Sequence, residues 1–170
     1  MFKAFLFSLL LPALSFAQTE TDSTTGSNVS AEDARIIVEH HNMARKEVGV
    51  QPLAWSDTLA EYAQEWADLL AKDCSFRHRQ QGKYGENIYS ASSSASFQPL
   101  KASQAWYAEK QRFTYAKIGE PGTARAMHYT QMIWKNTTEV GVGMAVCANG
   151  AVIVVANYNP PGNYTGEPPY

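Results

Sequence analysis

Cysteine is scarce in this chain: of 170 residues only Cys74 and Cys147 are cysteines. There is no Cys-x-x-Cys knuckle and no His-Glu-x-x-His run, which excludes the thiolate zinc sites and the helical metalloprotease site that need those spacings. Basic clusters are missing as well. Fourteen Lys and Arg face sixteen Asp and Glu, a net charge of −2, so electrostatic capture of nucleic acid or anionic lipid is disfavoured. After residue 17 no long apolar run remains, and a membrane-crossing helix needs ~20 consecutive apolar residues. No stable membrane anchor is expected.

The first 17 residues differ from the rest. Phe2-Lys3 is a weakly basic start, Ala4–Ala17 is apolar, and Ser15-Phe16-Ala17 gives the small-x-small ending that signal peptidase cleaves. Residues 1–17 are therefore read as a signal peptide and the protein as secreted and extracellular. Cleavage removes Lys3 and no acid, leaving 13 basic against 16 acidic side chains, a net charge of −3. In an oxidising compartment an even pair of cysteines is most simply one disulfide, here closing a long loop and worth ~2–5 kcal/mol. Asn28, Asn136 and Asn163 each begin an Asn-x-Ser/Thr sequon, the acceptor pattern for glycans in the secretory route.

Residues 18–30 are polar and rich in Ser and Thr, which predicts a disordered lead-in. One domain is expected over 31–170. Ser30 and Asp33 form a capping box, and Ile36, Ile37, His40, Met43, Ala44 and Val48 recur at helical spacing until Gly49. Ser56 caps a second helix, with Leu59, Tyr62, Ala63, Trp66, Leu69 and Leu70 as its apolar stripe. A short strand is expected at 86–90, a third helix over Phe97–Arg112, and a short helix opened by Met127-His128. The alternating Val140, Val142, Met144 and Val146, the Asn149-Gly150 turn and the β-branched run of 151–158 predict an antiparallel hairpin. Helices followed by a hairpin argue an α+β layered domain.

Chemistry-bearing residues are few. His40 and His41 fall in a helical pattern and read as packing or surface residues. His78 and His128 each follow a loop. Glu86 opens the 86–90 strand and Glu109 follows Trp106 on the third helix. Histidine with carboxylate suits a divalent metal or acid–base work, but these four residues span about fifty positions, and spacing alone does not gather them.

The segments "HNMARKEVGVQPLAWSDTLAEYAQEWAD", "GENIY", "HYTQMIWKNTTEVGVGMAVC" and "VVANYNPPGNY" together resemble the CAP superfamily of cysteine-rich secretory, antigen 5 and pathogenesis-related 1 proteins. The likeness runs from about Ile36 to Tyr170, and "SDTLAEYAQEWA" looks most like fungal secreted members. The resemblance implies an α-β-α sandwich with a cleft lined by His78, Glu86, Glu109 and His128. His78 and His128 would hold one divalent ion such as zinc, not required for the fold, with Glu86 and Glu109 completing the site and serving as candidate catalytic groups. It also implies a Cys74–Cys147 bridge, and places Val142 and Ala156 where plant relatives carry further cysteines. Some relatives bind sterols or fatty acids. The candidate surface here is the serine-rich stretch Tyr89–Leu100, with Tyr89, Phe97 and Leu100 as lining; the competing reading is a solvated connector. An extracellular binder of sterols or other small hydrophobic ligands, with a defence- or virulence-related role, is the expected function. The alternatives are a metal-assisted hydrolase using the same cleft, a precursor of a C-terminal signalling peptide in Pro160–Tyr170, and a protein acting on a host or cell-surface protein.

Overall fold

The computed structural model describes residues 25–170; the expected signal peptide and residues 18–24 lie outside the described residues. Helix α1 spans Ala31–Glu47, opened by the Ser30 hydroxyl, which accepts the Asp33 backbone N–H at 3.1 Å. Its buried face is Ala34, Ile37, His41, Ala44 and Arg45, while Met43 is exposed. That face is rotated from the expected stripe because a histidine and an arginine occupy two core positions. Helix α2, Asp57–Asp73, is capped by Ser56 and ends at Cys74 in the left-handed region, φ 51°. It buries Leu59, Ala60, Ala63, Trp66, Ala67 and Leu70, with Leu69 turned outward.

Four strands form one sheet in the order β1-β3-β4-β2: β1 Ala54–Trp55, β2 Gly85–Ala91, β3 Glu139–Val146 and β4 Val152–Asn159. Strand β1 runs parallel to β3, and the other pairings are antiparallel. The expected hairpin is β3–β4, turning at Gly150 with φ 85°. Val142 faces Ala156 directly across it, so a buried valine–alanine contact stands at the pair of positions where plant relatives were expected to carry cysteines. Helix α3 covers only Leu100–Ala108, continuing as a 3-10 turn over Glu109–Arg112. It begins later than the expected Phe97, since Pro99 disfavours helical backbone in the residue before it. Helix α4 is Met127–Met132.

The layers follow from side-chain alternation along the strands. Ile88, Ile153 and Val155 face α2 and pack with Trp66, Ala67 and Leu70. Val140, Val142, Val154 and Ala156 face the other way, toward Ile37, Trp106, Tyr129 and Met132 of α1, α3 and α4. This is the α-β-α sandwich. Helix α2 lies directly on β3, because a side chain at Gly141 or Gly143 would collide with the backbone of Leu59–Ala60 or Ala63–Gln64. Cys74 and Cys147 are bridged, Cα to Cα 5.5 Å, tying the end of α2 to the end of β3.

Two terminal segments are more firmly seated than composition suggested. Thr25–Ser30 belong to the folded domain rather than to a disordered lead-in: Val29 is buried in the core, and the Trp55 indole N–H donates to the Thr25 carbonyl at 3.2 Å. One valine in a polar stretch anchors the segment. The C-terminus is strapped down by Ile118 N–H to Glu167 O at 2.9 Å, Lys135 N–H to Pro169 O at 2.8 Å and Tyr115 hydroxyl to Tyr170 O at 2.6 Å. Arg45, fully buried, donates to the backbone carbonyls of Gln51, Met132, Trp134 and Thr137, binding α1 to the chain around α4.

Candidate functional site

The four expected cleft residues form two histidine–carboxylate pairs about strand β2, which is the sheet's edge. The His78 Nδ1–H donates to Glu86 Oε1 at 2.7 Å, and the same oxygen accepts the Arg79 backbone N–H at 3.0 Å. The His128 Nδ1–H donates to Glu109 Oε1 at 2.7 Å. Glu86 and Asn87 alternate along β2. Glu86 lies on the α2 side, where His78 follows that helix, while Asn87 turns to the other layer and donates to the His128 carbonyl at 3.1 Å. One strand thus connects both pairs.

The pairs differ in how firmly they are held. Glu109 Oε2 accepts the backbone N–H groups of His128 and Tyr129, at 3.0 and 3.2 Å, so this carboxylate caps the start of α4 while orienting the imidazole. Burial pushes the Glu109 carboxyl up, but the His128 ring and the two backbone N–H groups outweigh it and hold the group below the usual carboxylate range. The Trp106 indole stacks on the His128 ring, centroids 6.3 Å apart, and is itself fixed by its N–H on the Ile88 carbonyl. The side chain of His78, by contrast, is 61% exposed. Its hydrogen bond to Glu86 raises its pKa against the opposing effect of burial.

Arg79 anchors the His78 segment to α2. Its guanidinium lies 3.7 Å from the centre of the Tyr62 ring and donates to the Tyr62 carbonyl at 2.6 Å. Beneath His128, the Asn87 amide also donates to the Tyr158 hydroxyl at 3.1 Å, and that hydroxyl meets His41 Nε2 at 2.9 Å. Burial lowers the His41 pKa to about 4, so the ring is neutral and donates its Nδ1–H to the Ile37 carbonyl. Trp106, Asn87, Tyr158 and Arg79 were not among the expected site residues. Asn87, set between Glu86 and Ile88 in β2, was the one sequence clue.

With both Nδ1 atoms hydrogen-bonded to carboxylates, the Nε2 atoms of His78 and His128 have no hydrogen-bond partner among the described residues. A carboxylate on one ring nitrogen with the other left for a ligand is the usual outer support of a metal-bound histidine. Each pair taken alone thus leaves one imidazole nitrogen open to a ligand, with its carboxylate behind the ring. No group of three or more His, Cys, Asp or Glu able to hold a metal is gathered among the described residues.

Two of the three expected lipid-facing residues, Tyr89 and Phe97, are in contact. The Tyr89 and Phe97 rings stack at 6.1 Å with 21° between planes, and both pack against the α1/α3/α4 core while staying half-buried. Leu100 opens α3, half-buried. The serine-rich segment between them is exposed and pinned at Ser94, whose N–H donates to Gly150 O at 2.8 Å. Of the sequons, Asn136 is exposed. Asn28 is exposed with its amide on the Met144 carbonyl, and Asn163 is clamped between Thr130 and the Met127 carbonyl.

An α-β-α sandwich with two imidazole–carboxylate pairs on an edge strand and a bridge from α2 to β3 defines a class of small single-domain proteins. The chain belongs to the CAP, or cysteine-rich secretory protein, family, whose model matches residues 38–158. It is 43% identical to pathogenesis-related protein 1A of Nicotiana tabacum over 134 residues, 78% of each chain. It is 36% identical to pathogenesis-related protein PR-1 of Medicago truncatula over 173 residues, 99% of each. Among solved structures, NaASP2 with Zn2+ superposes with a TM-score of 0.73 at 26% identity, covering 84% of this chain and 86% of that one.

Proposed function

We propose that this protein is secreted and acts in defence- or virulence-related settings as a carrier of sterols or other small hydrophobic lipids. The observation that carries the reading is the Tyr89–Phe97 stack: one half-buried ring on edge strand β2 and one just before α3, joined by an exposed serine-rich segment. Such a segment can move aside at low cost while the rings stay fixed to the core, and apolar surface lined this way takes small apolar ligands. Pathogenesis-related relatives support the defence setting. The single disulfide supports an oxidising, extracellular compartment, where the sequons can carry glycans and a host or cell-surface protein can be met. The test is saturable uptake of labelled ergosterol and cholesterol. Phe97→Ser with Tyr89→Ser should abolish uptake while Glu109→Ala leaves it intact, and uptake unchanged by the double substitution rejects the reading.

A second reading is favoured by the unpartnered Nε2 atoms: a divalent ion such as zinc at His78 and His128, as the zinc-containing relative suggests. The ion would supply Lewis-acid polarisation of a bound oxygen. The chain's own contribution is to keep both rings in the Nδ1–H tautomer through Glu86 and Glu109. Zinc titration calorimetry tests it, with binding lost in both His78→Ala and His128→Ala; heat unchanged in either variant rejects it. Release of a C-terminal peptide is the least supported reading, because the bonds at Glu167, Pro169 and Tyr170 must open first.

A further inference from the structure

Among the described residues, strand β3 is paired with β1 only at Glu139 and Val140, so from Gly141 to Val146 no described strand lies beside its outer edge. Val140 uses that edge to accept the Ser56 N–H at 2.9 Å. The two-residue alternation of an antiparallel ladder turns the backbone groups of Val142, Met144 and Val146 the same way. Such an edge is a template for another strand, and proteins guard it with charged residues, proline or bulges. Here Val140–Gly150 contains no charged residue and no proline, and Val146 is 51% exposed.

The guard comes from α2. The Gln64 side-chain amide accepts the Met144 N–H at 3.0 Å and donates to the Met144 carbonyl at 2.9 Å. These are the two bonds that a facing residue of a paired strand would make. The other amide hydrogen goes to Asp68 at 2.8 Å, fixing the orientation. Asn28 closes the clasp from the N-terminal strap, its backbone N–H on Gln64 Oε1 at 3.0 Å and its side chain on the Met144 carbonyl at 3.2 Å. Gly143 makes the reach possible, since any side chain there would push Gln64 away.

We infer that Gln64, backed by Asn28, acts as a surrogate strand that keeps β3 from pairing edge to edge with β3 of a second copy. The edge specifies that partner. An antiparallel pairing about Met144 sets Val142 against Val146 of the other copy and brings no like charges together, so the interface is self-complementary under two-fold symmetry.

The test uses the full mature chain from a host that adds no N-glycans. Light scattering and amide exchange at Met144 should find the wild type monomeric with a protected Met144 amide. Gln64→Ala should form a concentration-dependent dimer, its Met144 amide protected only at concentrations where the dimer forms. Gln64→Glu, which places a charge on the edge, should stay monomeric. Asn28→Ala leaves α2 untouched and should show the same dimerisation more weakly, which separates edge pairing from misfolding of the Gln64 variant. A folded Gln64→Ala that stays monomeric overturns the inference. So does a wild-type Met144 amide that exchanges as an open edge would or, if Gln64→Ala does not fold, an Asn28→Ala indistinguishable from wild type.

Discussion

Replacing Glu109 with alanine removes an acceptor shared by three donors: the His128 ring and the backbone N–H groups of His128 and Tyr129. The carboxylate is 21% exposed, so water replaces it only in part. Hydrogen bonds to charged groups contribute ~1.5–3 kcal/mol and a helix cap ~1 kcal/mol, and these do not add fully; a loss of about 2–4 kcal/mol follows. For a domain of this size that is roughly a 5–15 °C fall in Tm. Glu109→Gln keeps one oxygen acceptor and should lose about half as much. The difference depends on pH in a fixed direction. Because the folded carboxyl is held below its ordinary value, its contribution is full above the unfolded pKa of ~4.3 and disappears as pH falls through the folded one. Thermal unfolding of wild type and both variants between neutral and acid pH measures this, with the His128 ring's contact to Trp106 followed by NMR alongside. A Glu109→Ala loss under ~0.5 kcal/mol, the range of ordinary surface substitutions, with unchanged NMR contacts of the His128 ring, would refute the claim that Glu109 both caps α4 and orients the ring.

Arg45→Met should be among the most damaging single changes, costing ~3–5 kcal/mol in denaturant unfolding, since four carbonyls, those of Met132, Trp134 and Thr137 in buried bonds, lose their donor together. Reducing the Cys74–Cys147 bridge should lower stability by ~2–5 kcal/mol without altering far-UV circular dichroism. His41 titrates at about 4 when folded because it is buried, well below ~6.5 in the unfolded chain. The unfolded state therefore binds the extra proton first, and stability should fall by about 1.4 kcal/mol per pH unit between those values; His41→Gln should flatten that slope. His78, raised by Glu86, works oppositely: its contribution is present below the unfolded pKa and fades as pH rises through the folded value.

Much of the fold was legible in local chemistry. Ser30 and Ser56 cap the helices they were expected to cap, and Asn149-Gly150 turns the hairpin. Burial on α1 was misread where polar side chains serve the core, because periodicity counts His41 and Arg45 as surface residues although their partners lie on β4 and around α4. The N-terminal strap escaped notice because one valine anchors it. The site could be named only by resemblance: Glu109 meets His128 across 19 residues of irregular chain, and no local pattern encodes that approach. The stacked Trp106 and the Asn87–Tyr158–His41 chain were invisible for the same reason.

The glycines of β3 restrict where the molecule can move. With helix backbone seated on strand backbone and a covalent tie at the far end, α2 and β3 behave as one stiff plate that can neither slide nor part. Any breathing that admits a ligand must then occur on the opposite layer, where α3 rests on β2 through side chains alone, and hydrogen exchange should find its fastest protected amides there.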